Sequence, residues 1–433
     1  MIEDSPSTEI ATSPPDAMKM SPKVILDQRY LLNWPEKPDW TYTVLKRLGA
    51  GAYGRVDKVV LSSEKARYDA GDNTVKVYAH KTFINTDFHT ALNSASRELH
   101  NLLVLRDDNK VCNPDVACFI DNYIGEQNRS VCIVTEFISG QTVYEVSSSN
   151  YKSGRKVDVF EYRRLLLSAL RGLKFMHSRN VAHRDIYGPN IMIINYGHFT
   201  SHVVFIDYGL ACVGAEDCRE QPHQIPQHMS PEMLQAQIDR SLLNMPEYKA
   251  SDVWFLALAF YSLNTGQPLF AIQRFPADKP SSREVRDAEA LLSDAVNVGV
   301  ARDIETRKRA LRDVQRAHRE GLITQRRGLL EDQREWLGRP SGPTSQTKFN
   351  REQVILNVTD DAISGRILER MFEFDWRLRL MPQVGIVYLK QNSLSTDKIV
   401  KSPSFTGALP PLHLPVDEGY STFSGKKSPP QKT

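Results

Sequence analysis

Tyr42 to Leu61 alternates apolar and polar residues around a glycine-rich centre, Gly49-Ala50-Gly51-Ala52-Tyr53-Gly54. A period of two broken by glycines predicts a β-hairpin with the glycines at its turn. Thr74 to Phe83 alternates again and predicts a third strand. Phe88 to Leu105 changes period: Leu92, Ala95, Leu99 and Leu102 fall on one face of a helix. Val131 to Phe137 is a short apolar run, read as a buried strand, and Ser139-Gly140 after it reads as a hinge. Beyond it the pattern turns helical. Val159 to Ser178 places Leu165, Leu166, Ala169, Leu173 and Met176 on one side, and two short strands follow at Asn190 to Ile194 and Val203 to Ile206. Val253 to Tyr261 is the densest apolar stretch, too short to span a bilayer, and predicts a buried helix beginning near Ser251.

Three stretches break this pattern. Residues 1–37 are rich in Ser, Pro and Asp without hydrophobic period, as is 393–433, so both read as disordered tails. Residues 276–352 are highly charged and Arg-rich, with a helical stretch from Ser282 to Leu337 and a thin apolar stripe. No heptad is sustained there, which argues against a coiled coil and for an exposed helical insertion. Strands first and helices afterwards predict an α+β fold.

Composition narrows the class. A net charge of +3 over 433 residues gives no case for nucleic acid as the main partner. Five scattered cysteines are an odd number and too few for a disulfide scaffold, which favours reduced thiols. The chain opens on no secretory leader pattern and no apolar run approaches a membrane span. The expectation is an intracellular protein, cytoplasmic or nuclear, with no membrane partner.

Chemistry-bearing residues follow one another in a fixed order: the glycine loop, then Lys81, Glu98, His183-Arg184-Asp185 with Asn190, and Asp207-Tyr208-Gly209. Arg55 to Leu61 alternates like a strand, so the loop joins two strands rather than a strand and a helix, which argues against a dinucleotide elbow. Glycines allow backbone N–H groups close to phosphate oxygens. This ordered series resembles the signature set of the eukaryotic protein kinases. The resemblance covers about residues 40–392 apart from the insertion, and extends to Ser230-Pro231-Glu232, Ser251-Asp252-Val253-Trp254 and Asp375-Trp376-Arg377-Leu378-Arg379.

The resemblance implies a two-lobed kinase fold over residues 38–392. The small antiparallel-sheet N-lobe would be 38–138 and the mostly helical C-lobe 139–392, with the insertion at about 276–352. It implies ATP and Mg²⁺ as cofactors and a protein substrate. Asp185 would accept the proton of the substrate hydroxyl, and Lys81, held by Glu98, would bind phosphates. Asn190 and Asp207 would bind metal. Leu48, Gly49, Gly51, Gly54, Val56, Ala79, Lys81, Thr135, Glu136, Ile138 and Met192 would line the nucleotide, with the backbones of Glu136 and Ile138 meeting the adenine edge. Asp252 would anchor the catalytic loop backbone and Arg379 would pair with Glu232.

The pattern also departs from the family. Serine/threonine kinases usually carry Lys two residues after the catalytic Asp, and this chain has Tyr187 there, followed by Gly188 and Pro189. Three readings therefore stay open: a kinase that phosphorylates Ser/Thr hydroxyls of proteins, a nucleotide-binding scaffold with weak or no phosphotransfer, and a kinase of small molecules, against which Ser230-Pro231-Glu232 and Ser251-Asp252-Val253-Trp254 favour the protein-directed group. Gly209 to Met229 contains no Ser, Thr or Tyr, so the expectation is an activation segment ordered without phosphorylation. Cys212, Cys218, His223 and His228 in that segment raise a zinc reading. Arg302, Arg307, Lys308, Arg309, Arg312, Arg316 and Arg319 raise another, an acidic partner at the insertion.

Overall fold

The computed structural model describes residues 34, 41–51, 54–83, 88–106, 112–125, 130–218, 225–270, 274–298, 301–337, 355 and 358–392. The tails expected at 1–37 and 393–433 lie outside these residues except for Trp34, as do Ala52, Tyr53, His223 and residues 338–350 of the insertion. Two compact units emerge, one drawn from residues 1–100 with 120–134, the other from 101–119 with 135–433.

In the first unit β1 (Tyr42–Gly51) and β2 (Gly54–Leu61) pair antiparallel as the hairpin the alternation predicts. After a short helix, α1 (Lys65–Asp69), comes β3 (Val77–Phe83), and α2 (Phe88–Val104) follows it. With β4 (Phe119–Gly125) and β5 (Ser130–Glu136) the sheet has the order β1-β2-β3-β5-β4. Strand periodicity sorts β3 into two faces. Tyr78, His80 and Thr82 are buried, whereas Ala79 and Lys81 alternate with them and are half-buried. Val59, Tyr78 and Val134 form a small core that Tyr42, Leu61, Ile120 and Tyr123 close over.

The second unit is helical. A two-residue strand β6 (Gln141–Thr142) leads into α3 (Val143–Ser153), which Thr142 and Glu145 cap reciprocally. The helix α4 (Val159–Ser178) starts at Asp158, whose carboxylate accepts from the amides of Phe160 and Glu161. Next come β7 (Val181–Ala182), β8 (Ile191–Ile194), β9 (His202–Phe205), β10 (Cys212–Val213) and the single turn α5 (Gly214–Asp217). The strands form two small sheets, β10-β7 and β6-β8-β9. Then α6 (Pro231–Asp239) precedes α7 (Met245–Thr265). Asn244 and Glu247 cap α7, which therefore begins six residues before the Ser251 that apolar density alone indicates. Its apolar residues surround it, as befits a helix at the centre of a core.

The insertion is a hairpin of α8 (Ser282–Val298) and α9 (Ala301–Trp336). The expectation of a wholly exposed segment is corrected at its far end. Leu329, Leu330 and Gln333 are buried on one face of α9, and Leu337, just past its end, is buried too. Trp336 meets Phe270 and Phe372 edge to face, at 5.8 and 5.4 Å between ring centroids, and both of those rings also contact Trp254 of α7. After the insertion come α10 (Ala362–Met371) and α11 (Pro382–Asn392).

Expectations about cysteine are corrected as well. Cys112 is disulfide-bonded to Cys118 and Cys212 to Cys218, leaving Cys132 as a buried thiol. Each bond spans six residues, so each closes a local loop and neither staples distant elements together. Among the described residues, no helix is long and apolar enough to cross a membrane.

Candidate active site

The glycine loop belongs to the first unit. Gly51 and Gly54 face each other across the end of the β1–β2 hairpin. Gly54 has φ +142°, and a Cβ there would lie 2.1 Å from the Thr82 carbonyl oxygen, so only glycine fits. Gly49 and Gly51 differ: a Cβ at either meets nothing within 4 Å. Space kept open beside two bare backbone positions suits the close approach of a phosphate. Leu48, on the same strand, is exposed.

Val56 lies opposite Lys81 in the β2–β3 register, with Lys58 opposite Ala79. The Lys81 ammonium reaches Glu98 of α2, Nζ to Oε2 2.7 Å. Both side chains are largely out of water, 15% and 5% exposed, so this pair fixes the ammonium more firmly than a surface pair would.

In the second unit Thr135 and Glu136 end β5. The Glu136 N–H donates to the Cys118 carbonyl at 2.9 Å, and its carboxylate accepts from the Cys118 N–H at 3.0 Å. Its own carbonyl oxygen is therefore the backbone atom that Glu136 has for an adenine edge. Burial pushes its carboxyl pKa up, partly opposed by the Cys118 bond. Ile138 follows two residues later and is half-buried. Met192 is held on β8 between Thr142 and Val204.

The loop at 183–190 hangs from α7. Asp252, fully buried, accepts from the amides of His183 at 2.9 Å and Arg184 at 2.7 Å, and contacts His177 Nε2 at 3.0 Å. Arg184 sits at φ +62°, a conformation that costs a non-glycine residue about 1 kcal/mol and persists where the surroundings impose it. Asn190 donates through Nδ2 to Asp185 twice, to the backbone oxygen at 3.0 Å and to Oδ2 at 2.9 Å. The Asn190 amide nitrogen is thus committed, and its oxygen is the atom suited to a cation.

The Asn190 carbonyl accepts from the Ile206 amide at 3.0 Å, tying that loop to the residue before Asp207. Asp207 is exposed, has φ +63° and accepts from the Gly209 amide at 3.2 Å. Tyr208 is buried against His183, ring centroids 5.0 Å apart, and its hydroxyl donates to Phe205 O at 3.1 Å. An amide oxygen and a carboxylate are hard donors, and a site of one or two such ligands completed by phosphate oxygens is what Mg²⁺ takes.

Some of the supporting groups are visible only in the structure. Asn101 donates to the carbonyls of Tyr208 and Ala211 at 2.9 and 3.0 Å. Ser251 links the Ser230 hydroxyl to the Glu232 carboxylate, each bond 2.8 Å. Gln333 of α9 donates to the Met229 carbonyl at 2.8 Å. Asn and Gln carry no motif of their own, so their roles depend on neighbours that only the fold supplies.

The zinc reading fails. The sulfurs of Cys212 and Cys218 are joined, so neither is a thiolate ligand, and His228 packs against Tyr187 with ring centroids 5.9 Å apart. Among the described residues no three of His, Cys, Asp and Glu group as a metal cage.

The family model of the protein kinase domain matches residues 42–311. The chain is 28% identical over 306 residues to the mitogen-activated protein kinase pmk-3 of Caenorhabditis elegans, covering 66% of this chain and 58% of the relative. It is 26% identical over 231 residues to the serine/threonine-protein kinase Nek6 of Oryza sativa subsp. japonica, covering 53% and 37%. To cyclin-dependent kinase 8 of Caenorhabditis elegans it is 25% identical over 290 residues, covering 59% and 45%. It thus spans between about a third and somewhat over half the length of these relatives. The match ends inside α9, so α10, α11 and Arg379 lie beyond it. With more than half of its residues matched, the chain belongs to the protein kinase domain family.

Proposed function

We propose that this chain is a protein kinase that transfers the γ-phosphoryl group of ATP to a serine or threonine hydroxyl of a protein. The observation that carries the reading is the pair of hydrogen bonds that Asn190 Nδ2 donates to Asp185, which holds a proton acceptor and a metal ligand together as one unit. Asp185 takes the proton as the substrate oxygen attacks phosphorus. Lys81, fixed by Glu98, binds the nucleotide phosphates. Asn190 and Asp207 hold Mg²⁺, which supplies charge neutralisation on the phosphates. The glycine loop covers those phosphates, while Val56, Ala79, Thr135, Glu136, Ile138 and Met192 receive the adenine. The serine/threonine preference is supported by the name of the rice relative.

The test is transfer of radiolabelled phosphate from ATP to mixed proteins, followed by phosphoamino acid analysis. The parent should label serine and threonine, while Lys81→Met and Asp185→Asn should each fall by two orders of magnitude or more, given the terms such groups supply. Equal signal from all three chains would leave the scaffold reading standing instead.

The insertion extends the reading to a partner. Arg309, Arg312, Arg316 and Arg319 are exposed along one side of α9 and suit an acidic protein surface. Reversal of these four charges should weaken capture of an acidic substrate protein and leave labelling of a neutral one unchanged.

A further inference from the structure

The segment after Asp207 contains no hydroxyl that could be phosphorylated from Gly209 to Met229. Arg184, the cation nearest to hand for a phosphate, is 3% exposed and engaged within the fold. Its Nε donates to the Leu210 carbonyl at 2.7 Å, and its guanidinium lies 5.2 Å from the centroid of the Tyr248 ring. The segment is therefore tied to the catalytic loop by a direct bond to its backbone, with no phosphate between. What it does carry is a covalent link of another kind, the disulfide between Cys212 and Cys218.

This bond is placed where it can act on the catalytic loop. Cys212 lies on β10 opposite Ala182 of β7, and Ala182 immediately precedes His183. Val213 pairs with Val181, and the Gly214 amide donates to Asn180 O at 2.9 Å. Inside the closed loop the Val213 amide donates to Asp217 Oδ2 at 2.8 Å. Both cysteines are buried, 1% and 2% exposed. The elements they join are minimal: a two-residue strand and a four-residue helix. Elements this small open locally at low cost unless a further constraint holds them, and a covalent link is such a constraint.

We propose that Cys212 and Cys218 form a thiol–disulfide modification site that replaces phosphorylation as the device ordering this segment. The oxidised pair holds β10 on β7 and so fixes the strand that feeds the catalytic loop. The reduced pair releases it. In the reducing step a dithiol attacks as its thiolate once the turn opens. The Cys212–Cys218 S–S bond breaks and an S–H bond forms on each cysteine. The dithiol supplies both electrons and both protons and closes to its own disulfide. A peroxide or a disulfide oxidant reverses the step.

The activity readout rests on the kinase reading above, so a second readout independent of activity is paired with it. The full chain is purified without reductant, split, and treated with dithiothreitol or left oxidised. Free thiols are located by alkylation and mass spectrometry, phosphate transfer is measured, and amide hydrogen exchange is followed across residues 208–218. Cys212→Ser/Cys218→Ser is compared with Cys112→Ser/Cys118→Ser, which removes only the other disulfide.

Dithiothreitol should free both thiols, speed exchange in 208–218 and lower kcat about tenfold, reversibly on reoxidation. The 212/218 variant should be low and indifferent to the dithiol with its melting transition retained, and the 112/118 variant, whatever its own basal rate, should lose rate on reduction and regain it on reoxidation in the same proportion as the parent. Free thiols at both positions in the oxidised chain would overturn the proposal. So would a reduced pair with exchange and rate unchanged, or a 212/218 variant that stays sensitive. If the parent transfers no phosphate under any condition the kinase reading fails, and the exchange result still decides this one.

Discussion

Arg379 grips Glu232 with two parallel bonds, Nη1 to Oε1 at 2.6 Å and Nη2 to Oε2 at 2.9 Å, across 147 residues of sequence. The two side chains are 1% and 6% exposed. The guanidinium also donates to the carbonyls of Ala250 and Glu373 at 2.8 and 3.0 Å and lies over the Trp254 ring. Removing one partner of a buried pair leaves the other charge without compensation. Arg379→Met should therefore lower unfolding free energy by roughly 3–5 kcal/mol. Arg379→Lys should also be costly, since an ammonium cannot reproduce the fork. Urea denaturation checks both, and adding Glu232→Gln to Arg379→Met should recover part of the loss.

Two glycines of the same loop should behave differently. Gly54→Ala drives a methyl into the Thr82 carbonyl at a φ that alanine rarely adopts, so β2 must shift on β3. Its melting temperature should fall by several degrees, as for a loss of about 2 kcal/mol. Gly51→Ala meets nothing within 4 Å and should melt like the parent. Its effect should show instead as a weaker ATP affinity in calorimetry, because the methyl takes space a phosphate would use. Equal affinities for parent and Gly51→Ala would remove the loop from the phosphate contact.

These contrasts mark what the sequence discloses. Lys81, Asp185, Asn190 and Asp207 stand out in the sequence as candidates because the chemistry proposed for them demands particular side chains at particular spacings. The hairpin was legible because period-two alternation survives around its glycines. The helix α3 was not: Ser147, Ser148, Ser149 and Asn150 are weak helix formers that mask its period. Its Thr142/Glu145 capping box was the readable signal. The docked end of α9 was missed because Leu329, Leu330 and Trp336, with Leu337 just beyond, make only a short apolar face on a long charged helix. Neither disulfide could be read, since sequence spacing does not say which sulfurs approach each other.

His80 gives the first unit a pH dependence. Burial holds its pKa below the ordinary 6.5, Arg55 acts in the same direction, and Asp57 opposes both. Its Nε2 contacts the Tyr123 hydroxyl at 2.7 Å, and the rings of Tyr42 and Tyr123 lie beside it. Above 6.5 the imidazole is neutral in both folded and unfolded chains. As pH falls below 6.5 the unfolded chain takes up the proton first, so stability is lost until the folded value is passed. His228 and His100, also held below 6.5 by burial, add to the same slope, whereas Asp361, lowered from 3.8, acts only at more acid pH. Urea midpoints should drop between pH 7.5 and 5.5, and His80→Gln should flatten part of that drop. A variant slope as steep as the parent's would take His80 out of the account.

Tyr187 stands where serine/threonine kinases usually carry a lysine. Its phenol pKa is raised above 10, first by burial and then by the charges of Asp185 and Asp207. The hydroxyl therefore stays protonated at any working pH and offers one O–H in place of a cation. Its ring contact with His228 is of a kind worth about 1 kcal/mol, so losing it should cost little stability. Tyr187→Lys would place a positive charge beside two carboxylates, where on the proposed kinase reading phosphate charge would develop during transfer. The expected result is a kcat about tenfold higher, equivalent to about 1.4 kcal/mol of transition-state stabilisation, with KM for ATP nearly unchanged. Tyr187→Phe should show whether the O–H contributes, through a lower kcat at the same KM. A lysine variant slower than the parent would mean that the loop is built around the tyrosine ring, and that the missing cation is supplied from elsewhere in the site.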